Sequence, residues 1–139
     1  LGGPRCAGGV CATVRDLARV GQLIVEGGAR GSRQIVSERW IDDITRHGDP
    51  QAWTAGDLAS YFPGLPVRYR SQWYVRDGEP PVLFGLGVHG QHVFIDRVRG
   101  IVIAKVSSQA LPLDGDSIAL TMRAAAAVTK FLDPTSRGA

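Results

Sequence analysis

The sequence predicts an α+β fold in which an antiparallel sheet is flanked by helices. Three observations carry that expectation. Apolar residues recur at helical spacing over residues 14–26 and again over 116–132. Between residues 72 and 106 the pattern changes to short apolar runs rich in Val, Ile and Phe. The links between those runs (Asp77-Gly78, Gly90-Gln91 and Arg97 to Gly100) are too short for a crossover helix, so neighbouring strands must run antiparallel, as a meander. Helices before and after a meander make an α+β arrangement.

The elements follow in order. Residues 1–12 are small and Gly-rich and read as a loop. Thr13 is placed to cap a helix, and Asp16 three residues on completes a capping-box pattern. Val14, Leu17, Ala18, Gly21, Ile24 and Val25 then share one helical stripe, and Gly27-Gly28 ends the helix because glycine tolerates the left-handed conformation there. Residues 31–36 read as a turn with a short extended piece. Ser37 caps a second helix expected to turn Trp40, Ile41 and Ile44 inward. From Gly48 to Arg70 the pattern dissolves into turn signals, with Trp53, Tyr61, Phe62 and Tyr69 arguing against disorder. Four strands are expected at 72–75, 82–88, 92–96 and 101–106. Ile101 to Ala104 is apolar on both faces, as in a sheet covered on both sides. The last helix turns Ile118, Met122, Ala125, Val128 and Leu132 to one side and is stopped by Pro134.

Composition narrows the class. The chain has 139 residues, 44% hydrophobic and 21% charged, which are ordinary globular values. No run approaches the ~20 apolar residues that span a bilayer. The segment shows no signal peptide and no initiator Met, so it reads as starting inside a longer protein; its compartment is unreadable, with the cytoplasm slightly favoured. Net charge is +3, but the 16 basic residues alternate with acidic ones along the chain instead of clustering, which argues against a nucleic-acid partner. Cys6 and Cys11 have no zinc-spaced companions; buried thiols, a small-loop disulfide and a redox pair all remain open, and no metal is implied.

Catalytic patterns are sparse. Ser-x-x-Lys, Gly-x-Ser-x-Gly, Tyr-x-Asn and the phosphate-binding Gly-x-x-x-x-Gly-Lys loop are absent from these residues. Gly85-Leu86-Gly87 with Gly90 echoes a dinucleotide motif, but it leads into a strand instead of a helix, so no nucleotide cofactor is expected. His89 and His92 stand three apart, on opposite faces of a strand, and so make poor joint metal ligands. The unusual stretch is Phe84 to Gln91. Repeated glycine within a strand marks close approach of a ligand or of another backbone, here read as a strand edge kept bare, with a bulge or tight crossing as the alternative.

A resemblance adds to this. Gly8-Gly9-Val10-Cys11-Ala12-Thr13-Val14-Arg15-Asp16-Leu17-Ala18-Arg19, then Val36-Ser37-Glu38-x-Trp40, Ser71-Gln72-Trp73-Tyr74, Gly87-Val88-His89-Gly90-Gln91 and Val106-Ser107-Ser108, resemble in the same order a segment of the β-lactamase-related serine hydrolases. The 6-aminohexanoate-dimer (nylon oligomer) hydrolases and esterases of that family are the particular likeness. The resemblance implies that residues 1–139 form the C-terminal portion of one domain of the serine β-lactamase/penicillin-binding-protein transpeptidase-like fold, whose N-terminal catalytic part is absent here and would be its partner. It implies hydrolysis of a small ester or amide through an acyl-enzyme, with no cofactor, the nucleophile and its Lys and Tyr lying upstream. This segment would lend the backbone N–H of Val88 as half of the oxyanion hole, with Gly87 letting substrate lie against the strand and with Tyr74, His89 and Ala7 near the substrate. The family's Lys-Thr-Gly box is replaced by Gly85-Leu86-Gly87, which disfavours β-lactams. Ala7 stands where the nylon-oligomer group carries a polar Asn. The alternatives are a catalytically inactive relative that binds in the same groove, or an unrelated interaction module.

Overall fold

A computed structural model describes residues 10–133. Helix α1, Val14–Val25, is capped as its sequence requires: Thr13 Oγ1 accepts the Asp16 amide at 3.2 Å and donates to Asp16 Oδ2 at 2.7 Å. Its charge pairing with Arg19 and this hydroxyl hold the Asp16 carboxyl below the usual carboxylate range, the Thr13 bond being the larger cause. The helix closes on Gly27 and Gly28, both left-handed, and a side chain at Gly28 would strike Val36 O. Strands β1, Ala29–Arg30, and β2, Arg33–Gln34, then form a small hairpin.

Helix α2, Glu38–Arg46, begins at Ser37, whose Oγ accepts the Trp40 amide at 3.2 Å. Ile41 and Ile44 are fully buried, but the inward placement expected of Trp40 does not hold, for it is 37% exposed. The buried sector of this helix is formed by 41, 44 and 45, and residue 40 lies about a quarter-turn from its centre. Thr45 occupies the third inward position, with its hydroxyl bonded to Ile41 O at 2.7 Å. The segment expected to be irregular carries three short elements. Helix α3, Pro50–Thr54, uses Asp49 as cap and Pro50 in its first turn. A 3₁₀ turn covers Asp57–Tyr61, and strand β3 covers Val67–Arg70.

Strand β3 makes the sheet five-stranded, where four strands were expected. β4, Trp73–Arg76, β5, Val82–Gly87, β6, Gln91–Asp96, and β7, Ile101–Lys105, follow, and the order is β3-β4-β5-β6-β7 with every pair antiparallel. This is the expected meander. Helix α4, Gly115–Leu132, starts from Asp114, which accepts from the Asp116 amide and from Ser117 Oγ. Pro134 and Cys6 lie outside the described residues.

The alternation of strand side chains produces two cores. One face gathers Tyr74, Val82, Phe84 and Phe94 with Phe62 and with Ile118, Met122 and Ala125 of α4. The other gathers Val75, Leu83, Val93 and Ile95 with Ile24 of α1 and with Ile41 and Ile44 of α2. On α4 the inward stripe is narrower than its sequence suggested: Val128 and Leu132 are exposed. Arg68 ties the layers together, bonding Asp77 on one side and the carbonyls of Thr45 and His47 at the end of α2 on the other. No helix among the described residues is long and apolar enough to cross a membrane.

Candidate active-site strand and turn

Strand β5 occupies the middle of the sheet, so the reading of its glycines as an open sheet edge needs correction. They are fitted first to β6: a Cβ on Gly85 would lie 3.0 Å from Val93 Cγ1, and one on Gly87 2.9 Å from Gln91 Cβ. Still, the two sides of β5 differ. Pairing with β6 runs the whole way to Gly87↔Gln91, whereas pairing with β4 ends at Tyr74↔Phe84. From Gly85 to Gly87 the β4 side of the strand therefore has no strand partner, because β4 has by then turned back through Ser71 and Gln72.

Past Gly87 the chain makes a 3₁₀ turn, Val88–Gly90, before entering β6. Val88 is 57% exposed. His89 is left-handed at φ 58°, unusual for a residue with a Cβ, and Gly90 is left-handed at φ 82°. Such backbone persists only where surroundings hold it. Here the holding segment is 107–112. The His89 amide donates to Pro112 O at 2.9 Å, and the Gln109 amide donates to His89 O at 3.2 Å. His89 Nδ1 lies 2.8 Å from Gln109 O; a carbonyl can only accept, so Nδ1 carries the proton. Gln91 completes the brace, receiving the Ser107 amide at 3.0 Å and donating to Ser107 O at 2.5 Å. Glycine suits position 90 through its positive φ, and a Cβ there would also push aside the end of the Gln109 side chain, whose carboxamide carbon would lie 2.5 Å away. Among the described residues none of these turn and loop bonds uses the Val88 amide.

The sequence-derived site residues therefore separate. Gly87, Val88 and His89 are contiguous at the exposed end of β5. His89 spends one ring nitrogen on Gln109, which leaves Nε2 as its outward group. Tyr74 sits opposite Phe84, three residues before Gly87, and is 8% exposed within a ring cluster of Trp53, Phe62, Tyr69 and Phe84. Burial, and secondly Tyr69, push its phenol above the ordinary value. Ala7 lies outside the described residues. Two residues lie behind the turn: His92, which the sequence offered only as a poor joint metal ligand, and Lys105, which it did not single out. His92 is 3% exposed and stacks flat on Phe94; Lys105 lies opposite it on β7. Burial lowers the His92 pKa, with the Lys105 charge adding to that and the bond to Gly90 opposing it. Their signal in the sequence was a histidine beside the apolar run Val93 to Ile95 and a lysine closing the apolar run Ile101 to Ala104. Among the described residues no group of three or more His, Cys, Asp or Glu is placed to hold a metal ion.

No family model matches this sequence. A curated protein, 6-aminohexanoate-dimer hydrolase of Paenarthrobacter ureafaciens, is 37% identical over 101 residues, which cover 73% of this chain and 25% of that protein. A solved structure, "Putative 6-aminohexanoate-dimer hydrolase from Bacillus anthracis", superposes with a TM-score of 0.63 at 28% identity, over 88% of this chain and 30% of that one. The chain thus spans between a quarter and a third of the length of these proteins. In sequence and in fold, the chain is a relative of the 6-aminohexanoate-dimer hydrolases, similar to one part of them.

Proposed function

We propose that this chain is the C-terminal portion of a β-lactamase-like serine hydrolase domain that cleaves ester or amide bonds through an acyl-enzyme. In this reading the nucleophile, its Lys and its Tyr are supplied by the remainder of the domain, and these residues supply one wall of the site. The observation that carries the proposal is the end of β5: bare glycines without a strand partner on the β4 side, leading directly to Val88, an exposed residue whose amide enters none of the turn and loop bonds among the described residues. An acyl-transfer transition state places negative charge on the former carbonyl oxygen. A backbone N–H already fixed in direction stabilises that charge without reorganising, and one such donor contributes about 3–4 kcal/mol. Gly87 has no side chain to keep a substrate from the strand, and His89 Nε2 lies on the same turn for a polar contact. Tyr74 backs the pocket through the exposed Tyr69 ring, 4.8 Å away, instead of touching the reacting atoms.

Substrate preference follows from what stands in the strand. Gly85-Leu86-Gly87 offers no cationic side chain for a carboxylate, which favours simple esters and amides over β-lactams. The test is a complete polypeptide carrying this segment, assayed on a p-nitrophenyl ester, a linear amide and a β-lactam, with and without a serine-directed fluorophosphonate. Ester turnover abolished by the reagent, with β-lactam turnover far lower, is expected. Absence of both turnover and fluorophosphonate labelling would overturn the proposal.

A further inference from the structure

The turn that carries Val88 is held from behind by two donors on a single carbonyl. Gly90 O accepts from Lys105 Nζ at 2.8 Å and lies 3.1 Å from His92 Nδ1. Since a carbonyl only accepts, His92 carries its proton on Nδ1. Its Nε2 is then a bare acceptor, and that atom is buried without a partner. His92 and Lys105 are direct register partners on β6 and β7, and Leu86 of β5 faces His92 from the other side. All three belong to one sheet face, a single step from the turn.

Neither polar residue is what packing would select at these positions. An apolar side chain at 92 would avoid the orphaned nitrogen, and one at 105 would avoid half-burying an ammonium. What both gain is the same oxygen. Gly90 is the last residue of the turn, and its left-handed conformation fixes which way its carbonyl points. We propose that Lys105 and His92 are positioning residues which, through the Gly90 carbonyl, set the peptide planes of residues 88–90 and so the aim of the Val88 amide. The stacked ring of His92 fixes direction, and the Lys105 bond is charge-assisted, which makes it the stronger of the two. The braces from 107–112 hold the turn from outside; these two hold it from within the sheet.

The importance of the clamp rests on the reading of Val88 as an oxyanion donor, but its existence does not, and the test addresses the clamp alone. Backbone hydrogen exchange of the full chain, read on the peptide covering 86–91, compares wild type with Lys105→Met and Lys105→Arg. Lys105→Met keeps the packing of the stem and removes the donor. It should speed exchange of that peptide about tenfold while α1 and β4 exchange as before, and Lys105→Arg should restore protection. Exchange in Lys105→Met equal to wild type, or Lys105→Arg as fast as Lys105→Met, would overturn the proposal. A measurement without substitution guards against a variant that unfolds: nitrogen NMR of the wild-type His92 ring should show the Nδ1–H tautomer. A proton on Nε2 would overturn the proposal whatever the variants do. Kinetics of Val88 variants decide separately whether the amide so positioned serves catalysis.

Discussion

Gly21 tests how closely α1 rests on the sheet. In the interior of a helix glycine costs about 1 kcal/mol relative to alanine, so Gly21→Ala judged by helix propensity alone should stabilise the chain. The packing says otherwise. A Cβ at this position would stand 2.4 Å from Val102 Cγ1, 3.2 Å from Val102 Cγ2 and 3.4 Å from Ile95 Cγ1. Val102 is β-branched and sits on β7, so neither its rotamer nor its backbone moves away easily. Overpacking of this kind costs about 1–3 kcal/mol, which outweighs the helical gain. Gly21→Ala should therefore lose about 1 kcal/mol and lower the melting temperature by roughly 3–5 °C. In a Val102→Ala background the obstructing methyls are gone, and the same substitution should be neutral or stabilising, a coupling of about 1–3 kcal/mol. Thermal unfolding of the four proteins in the cycle, followed by circular dichroism, provides the measurement. A stabilising Gly21→Ala in the wild-type background, with no coupling to Val102, would refute the close seating of α1 on β7.

Acid should weaken the fold through His92. Its folded pKa lies below the ordinary 6.5, so between those two values the unfolded chain binds the extra proton; stability present above about pH 6.5 is lost as pH falls from there through the folded value. The part of the melting-temperature profile just below about pH 6.5 should flatten in His92→Phe, and an unchanged slope there would contradict the burial argument. The isolated 139-residue chain should not turn over p-nitrophenyl esters, because it holds no Ser-x-x-Lys; a nitrophenol burst matching enzyme concentration and blocked by a fluorophosphonate would show otherwise. The same isolated chain should self-associate, since β7 ends the sheet order and Leu120 and Phe131 of α4 are 61% and 72% exposed. A monodisperse monomer by analytical ultracentrifugation, with sharp near-ultraviolet dichroism, would count against it.

What the sequence made legible was whatever depends on local chemistry. Thr13 with Asp16, Ser37 and the Gly27-Gly28 pair marked their helix ends because capping bonds and left-handed backbone are decided within a few residues. The meander from β4 to β7 was legible for the same reason, with its boundaries off by about a residue. Strand β3 was not. Its link to β4 is Ser71-Gln72, both at positive φ, in a tight turn usually built from Asn and Gly. With no turn signal, residues 67–70 merged into the irregular stretch before them. Asp49-Pro50 falls in the stretch read as turn signals, although a cap followed by proline equally opens a helix, as it does at α3. The glycines of β5 were legible as close approach, but not as approach to β6, because a single chain's pattern does not say which neighbour comes near. The bracing of the 88–90 turn by Gln91, Lys105 and Gln109 was out of reach, since those bonds join residues brought together only by register.

The claim that the end of β5 serves as an oxyanion donor is tested most directly by removing that donor. In a complete polypeptide carrying this segment, replacing Val88 by its 2-hydroxy acid analogue turns the amide into an ester, which puts an oxygen in place of the N–H donor, keeps the side chain and makes the Gly87 carbonyl a weaker acceptor. With Val88→Ala as the control that keeps the donor, steady-state kinetics on one ester substrate should show the control within a few-fold of wild type. The N–H deletion should lower kcat by roughly 100-fold or more, with KM little changed. Full kcat in a protein that lacks the Val88 N–H and melts as the wild type does would contradict the account, and the glycine-rich strand would then be a packing feature of the sheet.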